Sequence, residues 1–110
     1  MVNRTTVKRQ LKHYLSKAKK VIPIERAYIV GSWARGKAKA TSDVDLLLLS
    51  SSFNGMDADE RLRILYRQSA GIDFDLHIHA VTPDEFAQAG ELTSLGVMRE
   101  SAKVAITVNN

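Results

Sequence analysis

Four aspartates and two histidines in this chain are spaced for chemistry. Asp43 and Asp45 are separated by one residue and lead into the apolar run Leu46 to Leu49. On a strand, alternate side chains leave from one face, so both carboxylates would share that face. Adjacent like charges are costly unless a positive charge lies between them. A hard divalent cation such as magnesium meets that need, because it prefers carboxylate and phosphate oxygens. A second set, Asp73, Asp75, His77 and His79, follows at period two. Ahead of both stands Gly31-Ser32, directly after the apolar run Ala27-Tyr28-Ile29-Val30. Glycine lets the backbone approach a phosphate closely, and the free N–H groups of a helix start favour an anion. Taken singly these signals are ordinary: Asp-x-Asp also marks a surface strand entry, and Gly-Ser an ordinary turn.

The elements that must position these residues are legible from periodicity. Val7, Leu11, Tyr14, Leu15 and Ala18 recur at helical spacing, with Thr5 or Thr6 as the expected cap and Pro23 beyond the end. Residues 27–30 read as a buried strand, and Ser32 to Arg35 as a brief helix start. Gly36 to Ser42 is small, basic and polar, hence a loop. Asp43 to Leu49 is the second strand, and Asn54-Gly55 marks a turn. Asp57 and Glu60 stand at capping-box spacing before a helix whose inner face is Leu62, Leu65 and Tyr66, with Gly71 as its expected stop. Residues 72–80 alternate strictly, which predicts a strand with Asp73, Asp75, His77 and His79 on one face. Thr82-Pro83 opens another helix. A last helix over 92–101 and a strand over 104–108 complete the order. Strands alternating with helices argue for an α/β fold, a small mixed β-sheet flanked by helices.

Composition narrows the partners. The chain has 110 residues and no cysteine, which excludes a disulfide framework and a thiolate metal site. Its length fits one domain spanning 1–110. No apolar run reaches the roughly 18 residues of a membrane span, and the basic N-terminus lacks the apolar stretch of a secretory signal. A cytoplasmic protein with no membrane partner is expected. Residues 1–40 carry eleven Lys and Arg against one acid, Glu25, whereas residues 41–110 carry five against eleven acids. A basic half beside an acidic half suits a polyanion and its metal ions, although solvated helix faces account equally well for the lysines.

The combination is more specific than its parts. Ten residues separate Ser32 from Asp43, and the string GSWARGKAKATSDVDLLLL closely resembles the signature of the DNA polymerase β-like nucleotidyltransferase superfamily. In size the chain is similar to the minimal nucleotidyltransferases of that superfamily, which lack an added substrate domain. The resemblance implies a metal-dependent enzyme with a nucleotide triphosphate at Gly31 and Ser32, and with Arg35 and Ser42 also in the nucleotide-binding signature. It implies two Mg2+ ions, with Mn2+ as an alternative, held by Asp43, Asp45 and a third carboxylate from a later strand. Asp75 is the preferred third ligand and Asp73 its competitor. Lys37 and Lys39 are expected to decorate the loop. For His77 and His79 the favoured reading is polar sheet surface, with metal or substrate contact as the rival. Trp33 could stack on a base or pack on the sheet.

The expected reaction moves a nucleoside monophosphate, AMP from ATP in the first instance, to a hydroxyl. The acceptor half of such a site is missing from so short a chain, so a partner is expected to bring it. Family association points to a small helical HEPN protein and a toxin–antitoxin pair, with this chain as the antitoxin. Two readings compete: a non-catalytic, partner-binding module of the same fold, and a terminal transferase acting on nucleic acid. Homo-oligomer formation is left open by the sequence.

Overall fold

The computed structural model describes residues 3–33, 36, 43–90, 93–101 and 104–105. The expectations for Arg35, Lys37, Lys39 and Ser42 lie outside the described residues. Helix α1 spans Arg4–Ala18 and buries Val7, Leu11, Tyr14, Leu15 and Ala18, the stripe that the periodicity predicts. Its cap is not a threonine. Asn3 takes that place, its side-chain oxygen accepting from the Thr6 N–H at 2.9 Å, because an Asn side chain reaches the third residue of the first turn as well as a hydroxyl does.

Strand β1 (Arg26–Val30) pairs antiparallel with β2 (Val44–Leu49), Val30 lying opposite Asp45. Strand β3 (Leu76–Val81) lies parallel to β2 on its other side, and the two-residue strand β4 (Val104–Ala105) pairs antiparallel with β1. The sheet order is β3-β2-β1-β4, a mixed sheet as expected. A short 3-10 turn (Ser51–Phe53) and helix α2 (Ala58–Tyr66) connect β2 to β3. Helices α3 (Pro83–Gln88) and α4 (Ser94–Ser101) follow β3.

Period-two alternation divides β2 between two layers. Val44, Leu46 and Leu48 join the larger core with α1 and with Leu65 of α2. Leu47 and Leu49 face the other way, towards Phe86 of α3 and Leu95 and Met98 of α4. Asp45 has the parity of the second set. The carboxylate face is therefore the α3/α4 layer, and α1 and α2 lie behind the sheet.

Two hydrogen-bonded posts tie the elements together. The buried Tyr14 hydroxyl donates to the Leu65 carbonyl at 2.9 Å and ties α1 to α2. Arg61 of α2 donates to the Met56 and Ala80 carbonyls and to Glu85, with its guanidinium 5.7 Å from the centre of the Phe53 ring. Asp57 caps α2 as expected. Thr82 and Glu85 complete a capping box at the start of α3, with Pro83 at its first position.

Three further expectations are corrected. Helix α2 stops at Tyr66, before Gly71, which instead occupies a later turn at φ +91°. Strand β3 begins at Leu76 rather than at residue 72. Ile72 and Phe74 do pack against the main core, but from a loop. Their alternation reflects burial beneath the helices, and burial alone does not make a strand. The helix start expected over 32–35 is a turn over its described part, 32–33.

Candidate active site

The site lies at the end of β1 and the starts of β2 and β3, which the sheet topology brings to one edge. Gly31 leaves β1 with φ +72°, a conformation that side chains disfavour. A Cβ built there would lie 2.7 Å from Oδ2 of Asp45 and 3.4 Å from its Cγ. Only a glycine lets the carboxylate come this close to the backbone. The Gly-Ser turn and the Asp-x-Asp strand, ten residues apart in sequence, thus meet across the β1/β2 ladder.

Asp43 sits one residue before β2, and Asp45 is the second residue of the strand. Both face the imidazoles of β3. His77 lies opposite Asp45 in the parallel register, its Nε2 3.4 Å from Asp43 Oδ2 and its Nδ1 3.8 Å from Asp45 Oδ1. His79 is the diagonal neighbour, and its Nε2 reaches the same Asp45 Oδ1 at 3.0 Å. The two histidines are not merely sheet surface. Their shared parity with Asp75 was the sequence signal that could have assigned them to the site.

Asp73 and Asp75 part company. Asp73 lies in the loop before β3, where its N–H donates to Gln10 Oε1 and its Oδ2 accepts from Gln10 Nε2, both at 3.0 Å. Gln10 belongs to α1, so Asp73 is committed to the helix layer behind the sheet. Asp75 is exposed immediately before β3, and its carbonyl accepts from the Val44 N–H at 2.9 Å. Its backbone is thereby fixed beside Val44, the residue between Asp43 and Asp45. Trp33 is buried in the main core, and its carbonyl accepts from Arg4. That placement removes it as a platform for a base.

Among the described residues, no three His, Cys, Asp or Glu side chains are grouped to hold an ion. The donor chemistry still fits magnesium, which commonly takes one or two protein carboxylates and completes its shell with substrate phosphates and water. Asp43 and Asp45 supply such a pair, with side chains 45% and 28% exposed and so open to a ligand. A cavity of about 410 Å3 lies elsewhere, between α1 and the loop after α2, lined by Arg9, His13, Tyr14, Lys17 and Ile72 among others. It sits in the layer behind the sheet and does not contain the carboxylates.

Comparison with known proteins bears on the fold and the family. No curated protein matches the chain. Three solved chains do. One is a candidate nucleotidyltransferase from Sulfolobus solfataricus, with TM-score 0.64 and 21% identity over 90% of this chain and 76% of the other. Another is a toxin–antitoxin structure with AMP-PNP, with TM-score 0.51 and 19% identity over 74% of this chain and 61% of the other. At such identities these likenesses establish the fold. No helix of the described residues is long and apolar enough to cross a membrane. The model of the nucleotidyltransferase domain family matches residues 8–102, and the chain belongs to that family.

Proposed function

We propose that the chain transfers a nucleoside monophosphate, AMP from ATP in the first instance, to a hydroxyl acceptor. The observation that carries this reading is the contact of the Asp45 carboxylate with Gly31. It joins a backbone turn suited to a triphosphate to a carboxylate pair suited to its cation. Gly31 and Ser32 receive the phosphates, with Arg35 and Ser42 as further phosphate-side residues. Asp43 and Asp45 hold the divalent cation, Mg2+ or Mn2+. Asp75, beside them just before the neighbouring strand, is the third carboxylate and orients the acceptor hydroxyl. When bound, the metal supplies two things: a lower pKa for the acceptor hydroxyl and neutralised charge on the departing pyrophosphate.

The acceptor is a protein. The similarity in fold to a toxin–antitoxin chain with AMP-PNP supports a protein partner and a nucleotide substrate; the partner in this reading is a small helical protein of the HEPN type. Labelled ATP, Mg2+ and the product of a neighbouring reading frame provide the test. Label is expected on the partner and not on the chain alone. Absence of transfer with every metal and partner tried would contradict the enzymatic reading.

A further inference from the structure

We infer that His79 is a positioning residue for Asp45, fixing which carboxylate oxygen is presented to the Gly31-Ser32 turn. This rests on the proposed reading of Asp45 as a cation-holding carboxylate. Its two oxygens have different surroundings. Oδ1 is 3.0 Å from His79 Nε2, whereas Oδ2 lies over Gly31. As a hydrogen bond to a carboxylate that only accepts, this pairing requires the His79 form with its proton on Nε2. With Oδ1 held from the β3 side, rotation about the Cβ–Cγ bond would break that bond. Oδ2 is left as the oxygen facing the turn.

His77 makes an internal contrast. It is directly opposite Asp45 in register, yet its contacts are longer, 3.4 and 3.8 Å, and its side chain is 55% exposed against 32% for His79. Exposed pairs at such distances contribute little. A hydrogen bond at 3.0 Å to a partly buried carboxylate restricts it. Partners of this kind around metal-ligating groups change metal affinity by roughly 10–100-fold when removed. The two histidines are therefore predicted to be unequal, although sequence spacing makes them look equivalent.

The test reads metal binding and not turnover. Free Mn2+ is titrated by electron paramagnetic resonance against wild type, His79→Ala, His79→Gln, His79→Asn, His77→Ala and Asp45→Asn. His79→Ala is expected to weaken Mn2+ binding by roughly 10–100-fold. His79→Gln, which keeps an N–H at similar reach, is expected to restore most of it. His79→Asn, one methylene shorter, should stay weak, and His77→Ala should lose less than His79→Ala. If His79→Ala does not fold, the Gln and Asn variants decide the matter, and equal affinity in those two overturns the inference. Wild-type affinity in His79→Ala, or equal losses for both histidines, also overturns it while leaving the metal at Asp45. Wild-type binding that Asp45→Asn does not reduce would instead remove the underlying reading of the site.

Discussion

At the scale of single residues, the site depends on a close approach that a glycine permits. Gly31 combines a positive φ with a carboxylate oxygen only 2.7 Å from where a methyl carbon would stand. Gly31→Ala is expected to cost about 1–2 kcal/mol from the left-handed backbone alone, and to push the Asp45 carboxylate away from the turn. Urea unfolding measures the first effect and Mn2+ titration the second. Unchanged values in both would show that the turn relaxes freely. This contact was only half legible in the sequence. The ten-residue spacing suggested that Gly31-Ser32 and Asp43/Asp45 belong together, but the one-to-one pairing of Val30 with Asp45 is a property of the ladder. The histidines were undervalued because alternation gives a face and not a neighbour. A carboxylate on the adjacent strand turns the same face into a site.

At the scale of elements, the helices hold the strand edge in place through few, well-placed polar posts. Arg61 joins α2, the β2–α2 connection, β3 and α3, with a side chain only 12% exposed. Arg61→Ala removes the donor of two carbonyls and the ion pair with the exposed Glu85, and is expected to cost about 2–3 kcal/mol, a range typical for hydrogen bonds to a charged group. The midpoint of thermal unfolding should fall accordingly, and a change within 0.5 kcal/mol, the usual scale for surface substitutions, would show that the post is dispensable. Helix α1 and the capping box at Thr82 were readable because their signals are local: an apolar stripe, and Thr-Pro followed by Glu85. The start of β3 was not readable. Ile72 and Phe74 satisfy the alternation pattern while packing from a loop, and the Asp73 N–H is spent on Gln10, 63 residues away in sequence. A long-range side-chain bond of that kind leaves no periodic trace.

At the scale of the whole molecule, stability should be bounded at both pH extremes by groups outside the site. Burial, and secondarily the neighbouring Tyr66, raise the Tyr14 hydroxyl above its ordinary pKa of 10.0. The folded state therefore keeps this proton when the unfolded chain has lost it. The contribution is complete below pH of about 10 and is lost as pH climbs towards the raised folded value. Glu85 is shifted the other way, chiefly by its hydrogen bond to Arg61 and then by the Thr82 backbone. Its contribution is present above the ordinary carboxylate range and is lost as pH falls through the lowered folded value. Unfolding free energies across the pH range should show both declines. Tyr14→Phe should remove the alkaline decline, at a cost of about 1–2 kcal/mol for the unpaired Leu65 carbonyl. A Phe variant with the wild-type alkaline profile would assign that decline elsewhere.

The charge asymmetry takes on a spatial meaning at this scale. Basic α1 lies behind the sheet, where Arg9, His13 and Lys17 line the cavity of about 410 Å3, while the acidic pair opens on the opposite layer. Two places could therefore receive an anionic nucleotide, and they are separated by the thickness of the sheet. A crystal structure with Mn2+ and a non-hydrolysable ATP analogue distinguishes them directly. An anomalous difference peak between Asp43 and Asp45 is expected, with the triphosphate against Gly31 and Ser32. Nucleotide in the α1 cavity, with no metal at the two aspartates, would contradict it.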